Sequence, residues 1–198
     1  MDSVNMRSLL EPLGFEVTVR HDLEKRDFFT ELENFKEKFT RARVDACIVS
    51  IMSHGHENII EMCDPVSATV DIWDDVIRRF NNKHCRALMG KPKIFFIQCC
   101  RGDLYDFGVP RTEPDCGSLS SGLQQSNTGA PTKPYQPPVT IKLEPEFKDI
   151  LLCYATIPGY VANRATDTGT WYTRTLCEVF MNDAHNTELK KLLDKVNL

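Results

Sequence analysis

No apolar run among the 198 residues approaches the roughly 20 that a helix needs to cross a bilayer, so a helical membrane span is excluded. Residues 1–10 lack the basic start and apolar stretch of a secretory signal, which makes a cytoplasmic location the expectation. A surplus of one charge is also missing. The net charge is −4, and the one local basic surplus, Lys91-Pro92-Lys93, is too short to suit nucleic acid as a partner. Tryptophan is scarce, and Trp73 and Trp171 both read as packing residues. Zinc-ligand spacing is absent: His54 and His56 stand at i, i+2 on a loop, so no metal or cofactor is expected.

Cysteine, by contrast, is plentiful, with eight residues at irregular spacing. Cys47, Cys99 and Cys153 lie inside apolar, strand-like runs. Without a secretory signal they read as reduced thiols, most of them small buried hydrophobes. A chain of this length is enough for one domain with a single core.

The apolar pattern alternates between helical and strand periods. Val4, Leu9, Leu10 and Leu13 mark a short helix ended by Gly14. Residues 15–19 alternate as a half-buried strand does. Phe28, Leu32, Phe35 and Phe39 recur at helical spacing. Residues 44–52 form a near-continuous apolar run, the pattern of a central strand covered on both faces. Asp71 is placed to cap a helix burying Ile72, Val76, Ile77 and Phe80. Residues 94–97 and 150–155 read as two further strands. Helices follow over residues 170–181, burying Tyr172, Leu176, Val179 and Phe180, and from about residue 187, burying Leu189, Leu192, Leu193 and Val196. This order implies an α/β fold, a mostly parallel central sheet flanked by helices. Residues 103–145 are rich in Pro, Ser, Gly, Thr and Gln with almost no hydrophobic period, the composition of an exposed segment open to cutting.

Functional residues of such sheets gather beyond the carboxyl ends of the strands. His54 falls at one such end and Cys100, 46 positions later, at another. The loop of residues 156–164 falls at a third. An imidazole can take the proton of a thiol, and the thiolate can then attack a carbonyl. The oxyanion that forms needs preorganised donors, for which the backbone N–H groups of Gly55 and Cys100 are candidates. Gly55 also leaves room for a substrate backbone. Cys99 is a rival thiol by composition, but adjacent strand residues face opposite ways and the register favours Cys100.

Ser53-His54-Gly55, the run Lys91-Pro92-Lys93-Ile94-Phe95-Phe96-Ile97-Gln98-Cys99-Cys100-Arg101-Gly102, the stretch Ala155-Thr156-Ile157-Pro158-Gly159-Tyr160 through to Arg164, and Gly169-Thr170-Trp171-Tyr172 occur in this order. Together they resemble the catalytic domain of a caspase. A cysteine motif of this kind, with its histidine about 50 residues upstream, is itself the recognised signature of that family.

The resemblance implies a three-layer caspase-like fold and cleavage of peptide bonds after aspartate, in apoptosis or related signalling. By motif position Cys100 is the nucleophile, His54 the general acid/base and Gly55 an oxyanion contact. Gln98 and Arg164 line the aspartate pocket, a role to which a guanidinium is suited. It further implies a zymogen, with a single domain over 1–198 made of a large-subunit-like part (1–102), an inter-subunit linker (103–145) and a small-subunit-like part (146–198). Implied partners are protein substrates, a homodimer or caspase heterodimer, and adaptor proteins reached through a prodomain this chain does not show. The linker and Glu113-Pro114-Asp115 resemble the initiator type. Cys99 stands where the family usually has alanine. Ala162-Asn163 replaces its common Ser-Trp, so preferences beyond aspartate do not carry over. The resemblance starts past a strand and loop that supply another pocket arginine and stops before a final dimer-forming strand. The alternative expectation is therefore a truncated, impaired protein that regulates full-length partners by binding.

Thr112-Glu113-Pro114-Asp115 in the linker reads as the processing site. Mass spectrometry of active material is expected to find a new terminus after Asp115; a fully active enzyme with this bond intact would overturn it.

Overall fold

Six consecutive residues, Lys93–Gln98, are all buried, and they organise everything around them. In the computed structural model, which describes residues 1–106, 143–165 and 169–196, this segment is the middle strand of a three-stranded parallel sheet. Its neighbours are β1 (Cys47–Met52) on one side and β6 (Ile150–Tyr154) on the other; Lys93–Gln98 itself is β5. Side chains alternate between faces along a strand. Phe95 and Ile97 accordingly join Cys47, Val49 and Ile51 in one cluster. Ile94 and Phe96 join a second cluster on the opposite face.

Each face is covered by helices, giving three layers. The first cluster is closed by Leu32 and Phe39 of α2 (Lys25–Arg41) and by Ile72, Val76, Ile77 and Phe80. Those last four lie on a π-helical turn, Ile72–Val76, that runs into a 3-10 turn, Ile77–Phe80. The Asp71 carboxylate caps the first of these turns, accepting from the Asp74 N–H at 2.6 Å. The second cluster is closed by α1 (Asp2–Leu10), α3 (Trp171–Asp183) and α4 (Leu189–Val196) through Met6, Leu9, Leu10, Leu176, Cys177, Phe180 and Leu192. No helix among the described residues is long and apolar enough to cross a membrane.

Several sequence expectations need correction. Val4 and Leu13 are exposed, and Met6 takes their place in the core, because the face of α1 that meets α3 is centred on Met6, Leu9 and Leu10. Residues 15–19 form no strand, since no ladder among the described residues includes them. Phe15 and Val17 pack on the second cluster, while Glu16 and Thr18 both accept from Lys38 of α2. Two helical layers thus satisfy the alternation that was read as strand pairing. The run 44–52 supplies β1, but β1 lies at the edge of the three-stranded sheet, with Ser50 exposed. The small antiparallel strands β2 (Gly55–His56), β3 (Ile59–Glu61) and β4 (Thr69–Asp71) were not anticipated.

A buried lysine anchors the foot of β5. Lys93 Nζ donates to the Leu88 and Lys91 carbonyls at 3.1 Å each and to Asn82 Oδ1 at 3.4 Å. Burial holds its amine below the ordinary lysine range, so these acceptors must offset the lost hydration. Asn82 in turn donates from its side chain to the Pro145 carbonyl, and its backbone N–H donates to Glu146. Asn81 reaches the Glu146 carboxylate at 2.7 Å. The segment that leads into β6 is therefore hooked to the first part of the chain before the strand begins.

Phe95 is fully buried and packs edge-on against Phe80 at 5.7 Å. Phe95→Ala is expected to lower unfolding free energy by about 3–5 kcal/mol. Urea denaturation checks this, and a loss below about 1 kcal/mol would contradict the packing described.

Candidate active site

The last rung of the β1–β5 ladder pairs Met52 with Gln98. One more bond prolongs it: the Ser53 N–H donates to the Gln98 carbonyl at 3.1 Å. His54 and Cys100 each follow their strand's last paired residue by two positions, so the parallel register puts both just past the ends of adjacent strands. Neither residue owes this to its own chemistry; the apolar strands behind them set it.

Beyond that point the two chains diverge into supported loops. The His54 carbonyl accepts from the Glu61 N–H at 3.0 Å, and Ser53 Oγ donates to the Glu61 carbonyl at 2.7 Å. These bonds fold residues 53–61 into a hairpin in which β2 pairs with β3. Gly55 sits where a Cβ would meet the Ile59 carbonyl oxygen and come within 3.2 Å of the Cys99 Cβ. The absent side chain therefore serves the hairpin's close packing on the Cys99 segment, a reason the sequence reading did not contain.

After Cys100 the backbone is knitted to the loop that follows β6. The Arg101 N–H donates to the Tyr160 carbonyl at 2.9 Å, and the Gly159 N–H returns a bond to the Arg101 carbonyl at 2.8 Å. Leu104 and Tyr160 form an isolated parallel bridge. A Cβ on Gly102 would run into the Gly159 backbone, so this close approach requires glycine. Arg164 follows on β7 (Arg164–Ala165), where it is exposed.

Arg101 is the residue to which the sequence motifs assigned no role. Its guanidinium lies 4.1 Å over the Tyr154 ring. It also reaches the Glu57 carbonyl at 3.4 Å and Asn58 Oδ1 at 3.5 Å. One side chain, borne on the loop that carries Cys100, thus touches the hairpin that carries His54 and the end of β6. Glu57 adopts φ +56°, a conformation uncommon outside glycine, at the tip of that hairpin. Arg101, His56, Glu57, Asn58, Leu104 and Gly159 help to line an open cleft of about 570 Å³ beside the paired strand ends. The signal available in sequence was only a cation adjoining the thiol.

The two neighbouring thiols differ in environment. Cys99 is 2% exposed, and burial first, then the adjacent Cys100 thiol, pushes it up to about 11; Arg101 partly opposes this. Cys100 is half-buried and borders solvent. Gln98 is buried at the end of β5, and its side-chain oxygen meets no donor among the described residues. A buried polar atom without a partner is uncommon. Among the described residues no cluster of His, Cys, Asp or Glu could hold a metal ion. Asp115 lies outside the described residues. Trp171, expected to pack, is 61% exposed, because α3 turns Thr173, Leu176, Cys177 and Phe180 inward instead. Trp73 is also partly exposed and stacks on Phe147 at 5.3 Å.

A family profile described as "Caspase domain" matches residues 1–198. The chain belongs to the caspase family. It is 34% identical over 198 residues to Caspase-2 of Gallus gallus, covering all of this chain and 44% of that protein. It is 31% identical over 199 residues to Caspase-3 of Bos taurus, covering 62% of it. The crystal structure of Caspase-1 from Spodoptera frugiperda superposes with a TM-score of 0.78 at 26% identity, over 98% of this chain and 65% of that one. The chain thus spans about half the length of several curated caspases it matches. The three-layer caspase fold expected from the motifs is the fold observed.

With a pKa of about 11, Cys99 carries only about one thiolate in 10⁴ at pH 7. Peptide mapping after brief iodoacetamide treatment at pH 7.5 is expected to find Cys99 unmodified, with labelling rising as pH approaches 11. Modification at pH 7.5 as fast as at exposed Cys63 would refute the difference.

Proposed function

We propose that this caspase-family chain is the catalytic part of a cysteine endopeptidase that cuts peptide bonds after aspartate, in apoptosis or related signalling. The single observation that carries the reading is the β1–β5 register, which runs to Met52 and Gln98 and so supports His54 and Cys100 emerging level. The Cys100 thiolate attacks the scissile carbonyl, and the carbonyl π-electrons move to oxygen. Backbone N–H groups at Gly55 and Cys100 stabilise that oxyanion. His54 holds the proton taken from the thiol and delivers it to the leaving amine, which departs as the acyl-enzyme forms. A water then attacks the thioester and releases the acid, restoring the thiol.

Gln98 and Arg164 recognise the substrate aspartate in this reading. A guanidinium can grip a carboxylate with two parallel bonds. The unsatisfied Gln98 amide oxygen gains a reason: rotated by half a turn, the same amide presents its N–H₂ to a carboxylate. The dyad, not Cys99, is favoured because a thiol held near 11 is scarcely ionised at cytoplasmic pH.

Cutting after Asp115 would leave two pieces, and several contacts support their staying together. They include the five-residue β5–β6 ladder, the Asn81 and Asn82 bonds to residues 145–146, and the packing of α1 on α3. A dimer acting on protein substrates in the cytoplasm completes the proposal.

Turnover of an aspartyl fluorogenic peptide by the chain is expected to fall by about 10³-fold or more in Cys100→Ala. Equal rates in the two proteins would overturn self-contained catalysis and favour the regulatory, binding-only alternative.

A further inference from the structure

Residue 2 touches residue 170. The Asp2 Oδ1 accepts from the Thr170 N–H at 3.0 Å, across 168 positions of sequence. Thr170 occupies the N-cap of α3, yet its own hydroxyl makes no capping bond and is buried without a partner among the described residues. In an ordinary capping box, a carboxylate three residues into the helix accepts from the N-cap N–H. Here the acceptor comes from the first turn of another helix.

The consequence lies in the strand that Thr170 belongs to. β8 (Gly169–Thr170) pairs antiparallel with β7, and the register sets Arg164 opposite Thr170 and Ala165 opposite Gly169. The Trp171 N–H donates to the Asn163 carbonyl at 3.2 Å, on one side of the Arg164–Thr170 pair. That pair is therefore of the type that exchanges no backbone bonds, and the Thr170 N–H points away from β7. Asp2 is what receives it. Gly169 is committed to the same contact: its φ is +89°, and a Cβ there would collide with the Asp2 carboxylate. The carboxylate also sits at the N-terminal ends of both α1 and α3, where the helix dipoles favour negative charge. Burial first, then the fields of Asp2 and Glu178, push the thiol of Cys177 up to about 11.

We infer that Asp2 is a positioning residue for substrate selection: it clamps the outward edge of the β7–β8 hairpin and so sets where Arg164 stands. The inference rests on the proposed reading of Arg164 as the group that binds the substrate aspartate. Asp2 touches no substrate; it acts through Thr170. Without it the Thr170 N–H loses a charged acceptor, the hairpin loosens on α3, and the arginine is held less firmly for its carboxylate.

The test uses the full chain with Asp2→Ala, Asp2→Asn and Arg164→Ala, plus the Asp2→Ala/Arg164→Ala double variant. Two readouts are taken: amide hydrogen exchange at Thr170, which needs no activity, and KM and kcat for an aspartyl fluorogenic peptide. Asp2→Ala is expected to speed exchange at Thr170 by about tenfold or more and to raise KM by about tenfold with little change in kcat. Asp2→Asn keeps an acceptor oxygen and is expected to recover most of both. The double variant is expected to be no worse than Arg164→Ala alone, since both act on one recognition step. Unchanged exchange or KM in Asp2→Ala, alongside a large loss in Arg164→Ala, overturns the positioning role and leaves the pocket reading standing. Additive losses, or a fall in kcat alone, reduce Asp2 to a helix-packing residue and also overturn it. Unchanged turnover in Arg164→Ala overturns the pocket reading, and this proposal with it. If Asp2→Ala does not fold, Asp2→Ser with the same exchange readout decides the matter, because its shorter side chain withdraws the acceptor without leaving a larger cavity.

Discussion

Parallel pairing of Cys47–Met52 with Lys93–Gln98 is the constraint from which the candidate site descends. A parallel ladder advances both chains at the same rate, so whatever follows each strand emerges at the same height. The ladder holds because its middle strand is buried on both faces by two separate clusters of apolar side chains. A shift of one residue would turn Phe95 and Ile97 to the α1–α3 layer and Ile94 and Phe96 to the α2 layer, and it would also separate His54 from Cys100 in height. Core packing and alignment of the proposed dyad are therefore one requirement.

Polar chemistry is confined to the two ends of that strand, and each end is handled differently. At the foot, Lys93 is buried and its amine is met by two carbonyls and an amide oxygen, which tie β5 to the loop before it and, through Asn82, to the segment entering β6. At the head, Gln98 retains an unsatisfied oxygen, and one of the two following thiols reaches toward solvent. The foot has its bonds closed internally; the head, proposed to meet a substrate, keeps one open. The contrast between Cys99 and Cys100 is the same principle at the scale of one peptide unit, with burial silencing one thiol and not its neighbour.

Loops and two-residue strands beyond the sheet carry the rest of the candidate site, and their supports explain why part of it escaped the sequence. His54, Gly55, Gln98, Cys100 and Arg164 stood out as candidates because each belongs to a short motif at or beyond the end of a strand-like run. Arg101 did not, because its partners are a carbonyl at residue 57, an amide at 58 and a ring at 154, none near it in sequence. Asp2 did not, because its partner lies 168 residues away. The segment 15–19 misled for a related reason: alternation reports two different environments on two sides of an extended chain, whether or not a strand lies beside it.

By itself the sequence determined the order of the main helices and of the three strands of the parallel sheet, and the family to which the motifs belong, since periodicity and short motifs are local properties of the chain. Tertiary structure decided which residues of that chain meet. It set β1 at an edge, fitted Gly55 against Cys99, passed Arg101 between three elements and brought the second residue under the hairpin that bears Arg164. Those pairings depend on the register of buried strands and the docking of helices on them, and neither is written in any one stretch of the chain.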